Sequence, residues 1–584
     1  MNPPNQAPQP PPSSPPEGTT TPILHDLLII GAGPCGLAVA ARLREETPSA
    51  MFTDDEHQRY HWINKHRGRM TVVQAHGRAR RGVRAEKYQS PSISYNMKDD
   101  ESSEPDLVHS RSSSISSSSS SSSSSSFSTD STSRNSSVDN EDTPTTLILD
   151  STGARWMERW NRAFQTLEIQ QLRSPMFFHV DPRDRDGMLA YTQETSRGKD
   201  LWEISGIPAE PEIDERDRKD YFSPSTGLFA DYCNSIVARY KLNTPGQIRP
   251  SEATDIQFTD RPELFGEAQG KIFTTTAADG TQHYSRALVL ATGAGGQPNL
   301  PFPLTPTEQQ GACHSSQIRG FPSAHVQTKI RQGQPTHLVV VGGGLTSAQI
   351  VDMAIKKGVR RVWLLMRSDF KVKHFDLTLN WMGKFKNLEK ARFWSADTDE
   401  ERLEMIQAAR GGGSITPRYQ KILKQHVATG RVAIHPQTSI TGRRYCAGSR
   451  TWRLQTEPPI PALQDTPVDY IYFATGMRAD VNEMPLLHRM LRDYPVDTSQ
   501  GLPCLTEDLM WDEGVPLFVT GRMAALRLGP GAANLEGARL GAERIAWAME
   551  DVLGRRRRPR EGERECFCGL GNRFAGLVDV DVEG

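Results

Sequence analysis

One pattern occurs twice in this chain. A short apolar run leads into closely spaced glycines and then into a helical pattern rich in small and aliphatic residues, as "HDLLIIGAGPCGLAVAARL" from His25 and as "HLVVVGGGLTSAQIVDMAI" from His337. Each copy is followed far downstream by another apolar run that closes on Ala-Thr-Gly, "RALVLATG" ending at Gly293 and "DYIYFATG" ending at Gly476. Such uninterrupted runs suit buried parallel strands, because a strand covered on both faces has no polar side to alternate with. The chain is therefore expected to be α/β, with two Rossmann-like domains in series, each doubly wound in three layers.

Spacing alone would not carry this. With 47 glycines in 584 residues, GxGxxG arises by chance roughly 0.3 times. The setting between a strand and a helix gives it meaning: Gly31 makes the tight turn, Gly33 lets backbone approach a pyrophosphate, and Gly36 lets helix and strand pack closely. Pro34 and Cys35 complete that loop, and a helix over 36–46 would aim its first amides at the phosphates. Eighteen residues beyond Gly36, at the end of the weak strand "SAMFTDDE", Asp54 stands where a ribose-binding carboxylate belongs, with Asp55 or Glu56 as alternatives after a small register shift.

The second copy has Gly342, Gly343 and Gly344, with Ser347 in place of the third glycine; serine is small enough for close helix packing. At the end of the next strand stands Arg367, with Lys371 and Lys373 nearby, where an acid would select NAD. A planar cation suits a 2′-phosphate, so NADPH is favoured over NADH. The competing reading is that these cations cap a strand on a solvated edge.

Composition excludes several other roles. Lys and Arg number 69 against 70 Asp and Glu, so no global field draws the chain to nucleic acid. The seven cysteines form no CxxC pair, which argues against a disulfide framework, a zinc site or a redox dithiol, and no metal is expected. No apolar run reaches the ~18 residues a membrane span needs, and the N-terminus lacks a signal-peptide pattern. A cytoplasmic location without integral membrane association is the expectation. The proline-rich residues 1–22 and the serine-rich 99–143 hold little to bury and are expected to be disordered. Domains are expected at 23–330, 331–480 and a returning segment 481–550, with a tail at 551–584. That tail carries "RRRRPR", a solvated run or a nuclear or phosphate-binding patch.

The two glycine loops and their Ala-Thr-Gly partners resemble the flavin-dependent oxidoreductases with two dinucleotide domains. The resemblance implies FAD at the first site, with Ala291, Thr292 and Gly293 contacting it, and NADPH at the second, with Ala474, Thr475 and Gly476. "VPLFVTGRMAALRLGPGAANLEGARLGAERI" is similar to the returning FAD segment, with Gly521-Arg522 where relatives often have Gly-Asp. Among the branches, the chain is most similar to the L-ornithine and L-lysine N-monooxygenases. "DDEHQRYHWINKHRGRM", with Trp62, resembles their His-x-Trp segment; "ACHSSQI", with His314 and Ser315, resembles the His-Ser-Ser ahead of their NADPH domain. A second likeness is to the oxidative-stress-induced growth-inhibitor proteins.

The implied activity is hydroxylation of a small amine-like nucleophile by O2 through a flavin C4a-hydroperoxide. The alternatives are a flavin reductase or oxidase without hydroxylation, and a non-enzymatic regulatory scaffold. Catalytic side chains remain unassigned. Trp156, Trp160, Phe177 and Phe178 read first as core. "LRSPMFFHVDPRDRDGM" and "KVKHFDLTLNWMGKF" look like motifs without an evident role.

Overall fold

The structure is a computed structural model, which describes residues 22–45, 144–183, 185–203, 221–266, 270–293, 297–382 and 386–554. From the N-terminus, β1 (Leu24–Ile30) turns through the first glycines into α1 (Pro34–Arg42), and the described chain resumes at β2 (Thr146–Leu149). The helices α2 (Glu158–Thr166) and α3 (Thr226–Arg239) precede β3 (Ile248–Arg249), the antiparallel pair β4 (Ala253–Asp260) and β5 (Lys271–Ala277), and β6 (Gln282–Leu290). A crossover reaches β7 (Ala312–His314), then β8 (His337–Val341), α4 (Leu345–Lys356) and β9 (Arg361–Leu365). There follow α5 (Asp399–Arg410), α6 (Pro417–Ala428), β10 (Val432–His435), the hairpin β11 (Ser439–Cys446) and β12 (Thr451–Glu457), and β13 (Tyr470–Phe473). The chain returns through β14 (Met510–Asp512) and β15 (Val515–Val519) to α7 (Leu535–Val552).

Two sheets organise these elements. The first has eight strands, running β14-β15-β6-β1-β2-β3, with β5 also along β6 and β4 beyond it. The second has five, in the order β10-β9-β8-β13-β7, all parallel. The four apolar runs of the duplicated pattern occupy the centres of these sheets, and Leu27–Ile29, Leu288, Val289 and Leu338–Val340 are fully buried. That is where a strand without alternation must lie. The hairpin β11–β12 shows the opposite pattern: Trp452, Leu454 and Thr456 alternate inward and the residues between them outward, as one exposed face demands.

Helix α4 is buried along most of its length, from Ser347 to Ile355, whereas α6 buries only Leu423. The first helix is shorter than its sequence pattern, starting with Pro34 at its first position and ending at Arg42 instead of running to 46. Arg42 turns inward there and makes a two-pronged ion pair with Glu543 of α7, its Nη2 2.8 Å from Oε1 and its Nε bonded to Oε2. This joins the first helix of the first domain to the last helix among the described residues.

Candidate functional site

At the end of β1, Gly31 takes φ +112°, a value that side-chain-bearing residues avoid. A Cβ there would lie 2.5 Å from the carbonyl oxygen of Ala291. At the end of β8, Gly342 takes φ +145°, and a Cβ would run into the carbonyl of Ala474. Each glycine turn is thus pressed against the Ala-Thr-Gly of its own domain, and Ala291 N donates to Ile30 O at 2.9 Å as Ala474 N does to Val341 O at 2.7 Å. A Cβ on Gly36 would overlap the carbonyl of Gly31, while Gly33 and Gly344 have open space before them. In the second copy Ser347 is fully buried, and its hydroxyl donates to Gly344 O at 2.6 Å. The third position therefore tolerates serine.

Helices α1 and α4 begin alike. Gly33 and Gly344 are their N-caps, neither is capped by a side chain, and neither first turn holds an acid. Uncapped amides at acid-free N-termini, behind glycines that leave the approach open, fit a pyrophosphate at each site. Cys35 sits in the first loop as a passive thiol: burial pushes it up to about 11, leaving it protonated at neutral pH.

Asp54, Asp55 and Trp62 lie outside the described residues. Among the described residues, β1 pairs with β6 on one edge and with β2 on the other. The carboxylate at the end of that neighbouring strand is Asp150, which sequence reasoning missed. Its Oδ2 accepts from Ala32 N in the glycine turn and its Oδ1 from Thr152 N, both at 2.7 Å. The signal was present in "TLILD", an apolar run ended by an acid. The usual spacing of about 20 residues hid it.

Around the second turn, Arg367 follows β9 and is exposed. Lys371 and Lys373 are occupied elsewhere, donating to the carbonyls of Gly411 and Arg410 at 3.0 and 3.1 Å at the C-terminal end of α5, where cations suit the helix dipole. Thr475 donates its hydroxyl to Asn299 O, and Asn299 N bonds to Gly476 O, so the crossover at Asn299 lies directly along the second Ala-Thr-Gly. His314 is buried at the end of β7, opposite Phe473. Its Nδ1 pairs with the hydroxyl of Ser316 at 2.8 Å, and burial lowers its pKa, keeping it neutral. Ser315 opens the short 3-10 turn after it.

The returning segment touches both sites. A Cβ on Gly521 would stand 3.1 Å from the Cys35 sulfur, and Arg522 donates to Met477 O at 3.1 Å, just beyond the second Ala-Thr-Gly. Trp156, Phe177 and Phe178 are buried in the main core, and Trp160 stacks on Phe164 at 4.7 Å, as expected of packing residues. Beside the start of α4 opens a cleft of about 440 Å³, with Arg173, His374, Lys421 and Glu203 on its walls.

Residues 251–479 match the family model described as L-lysine 6-monooxygenase/L-ornithine 5-monooxygenase. That stretch holds both Ala-Thr-Gly strands and the second glycine turn. No curated protein matches the sequence significantly. Among solved structures, the chain is similar to the ornithine N-hydroxylase of Kutzneria sp. 744, described with reduced FAD, NADP+ and L-ornithine, at 13% identity and TM-score 0.54, covering 91% of this chain and 99% of that one. It is similar also to a FAD-bound cadaverine monooxygenase from Erwinia amylovora (13%, TM-score 0.53, 91% and 95%) and to L-lysine 6-monooxygenase from Pseudomonas syringae (14%, 0.51, 91% and 100%). The fold is that of the two-dinucleotide-domain flavin monooxygenases. The likeness to the ornithine and lysine N-monooxygenases, read from short segments such as "ACHSSQI", is borne out by the family match. Among the described residues, no helix of this flavin-monooxygenase fold is long and apolar enough to cross a membrane.

Proposed function

We propose that this chain is an FAD-containing, NADPH-dependent monooxygenase that hydroxylates a small amine-like nucleophile with O2. The observation that carries the proposal is the duplicated cradle, Gly31 against Ala291 and Gly342 against Ala474, each facing an uncapped helix N-terminus. The first cradle would hold FAD, with Asp150 toward the ribose; the second would hold NADPH, with Arg367 toward the 2′-phosphate. Bound there, NADPH would supply a hydride and FAD would relay its two electrons to O2, which with two further electrons from the substrate would end as one oxygen atom in product and one in water.

The chain's own residues bind, orient and exclude. The glycine turns bring backbone N–H groups to the phosphates without a Cβ between. Gly521 and Arg522 tie the returning segment to both sites, and neutral His314 adds no charge beside Gly476. A primary amine must also arrive uncharged, having lost a proton whose usual pKa is near ~10.4.

The test is spectroscopic. Purified protein should carry yellow flavin that NADPH bleaches without oxygen and air restores, and oxygen uptake should rise with an amine while hydroxylamine accumulates. Colourless protein that refuses reconstitution with FAD would exclude the proposal; peroxide release with no oxygenated product across amines, thioethers and ketones would replace it with an oxidase.

A further inference from the structure

The two unassigned stretches of sequence meet in the structure. Arg173, from "LRSPMFFHVDPRDRDGM", reaches into "KVKHFDLTLNWMGKF" and the loop behind it. Its Nε donates to His374 O at 3.2 Å and its Nη1 to Ser414 O at 3.1 Å. Its Nη2 reaches Lys373 O at 3.0 Å, Phe375 O at 2.9 Å and the Ser414 hydroxyl at 2.8 Å. All these acceptors are neutral, and the planar fork of a guanidinium can serve them together where a lysine ammonium could not. An aromatic chain runs alongside, with Phe177 edge-on to Tyr221 and Tyr221 against Phe375, both at 5.8 Å.

What Arg173 holds is a glycine loop. Gly411 and Gly412 take φ +60° and +82°, and Gly413 lies so near the second dinucleotide turn that a Cβ would stand 3.1 Å from both Gly343 C and Gly344 N. Arg410, at the loop's start, donates to Pro530 O at 3.1 Å and to Asp376 at 3.0 Å; Asn534, the N-cap of α7, donates to the same carboxylate at 3.2 Å. The loop is thus fastened to the first domain at both ends, by Arg173 and by the segment before α7, while its middle rests on the glycine turn of the second.

We propose that Arg173 is a positioning residue, which holds the Gly411–Ser414 loop against Gly343 and Gly344 and so fixes how the second nucleotide faces the first. This rests on the reading of the chain as an NADPH-to-FAD hydride-transfer enzyme, in which NADPH gives up a hydride, becomes NADP+, and leaves both electrons on the flavin. A rate of this kind depends on reach and angle, and a displacement of about 1 Å can cost on the order of a hundredfold.

The variants R173K, R173Q and S414A test it in the full chain. FAD content and NADP+ affinity should stay within about threefold of the parent, while the limiting rate of anaerobic flavin reduction at saturating NADPH falls at least about tenfold for either Arg173 variant and less for S414A. Backbone amides at 371–375 and 411–414 should exchange faster, and those of β1 and α1 should not. Unchanged limiting rates with intact FAD would overturn the proposal, as would faster exchange with no kinetic effect, since Arg173 would then be structural only. If the Arg173 variants take up no FAD, S414A decides: a rate equal to the parent's sinks the proposal. A parent protein that NADPH never reduces brings down the proposed function itself, and the positioning role with it.

Discussion

Gly31 and Gly342 are residues whose side chains are absent for a steric reason: positive φ and a carbonyl where a Cβ would go. An alanine at either must shift the turn, at about 1–3 kcal/mol in local strain. Gly342→Ala should therefore weaken NADPH binding by about tenfold or more while FAD content is retained, and Gly31→Ala should deplete FAD instead, both read by flavin absorbance and nucleotide titration. At Arg367 the discrimination is between cofactors: Arg367→Asp should weaken NADPH at least about tenfold and NADH far less, because only the 2′-phosphate carries the charge that arginine would read. Equal losses for both would show that this exposed cation reads neither. Glycines demanded by backbone geometry are visible in a sequence because no other residue meets the demand. A carboxylate such as Asp150 is one of 70 acids, and only the strand it ends distinguishes it.

Among the described elements, α1 near the N-terminal side is tied to α7 on the C-terminal side where Arg42 meets Glu543. The Glu543 carboxylate is 1% exposed and Arg42 9%, so removing one partner strands a buried charge. Glu543→Ala should destabilise by about 3–5 kcal/mol, seen as a lower midpoint in thermal or urea unfolding, and Arg42→Met with Glu543→Leu should recover much of that loss. The strands were legible at this scale for the reason that helps every parallel sheet: burial on both faces erases alternation and leaves runs such as "HLVVV". The pairing of those strands was not legible. β2 pairs with β1 across a connection of more than a hundred residues, and no local pattern states which apolar run a given strand will choose as neighbour.

For the molecule as a whole, acid sensitivity follows from its histidines. His25, His283, His314, His325 and His435 all have pKa values lowered by burial. Unfolded, each returns to about 6.5, so the unfolded chain binds more protons at mildly acidic pH, and stability rises with pH there. The stabilisation is complete above the unfolded value and is lost as pH falls below about 6.5 toward the lowered folded values. Melting temperature should accordingly drop between pH 7 and pH 5, and His314→Asn should flatten part of that slope; a midpoint independent of pH across this window would contradict the burial of these rings. Asp181 acts in another window: its neighbours His179 and Arg239 hold it low against the cost of burial, so its contribution disappears only below the ordinary carboxylate range.

By itself the sequence determined that two nucleotide cradles exist and which residues turn them, because a glycine at positive φ and a strand buried on both faces are local necessities written in single residues and short runs. Only the tertiary structure decided which acid stands beside the first cradle and which arginine reaches the loop behind the second. Those choices depend on strand pairing and domain docking, which bring together Ala32 with Asp150 and Arg173 with Ser414, residues whose separation along the chain leaves no periodicity to read.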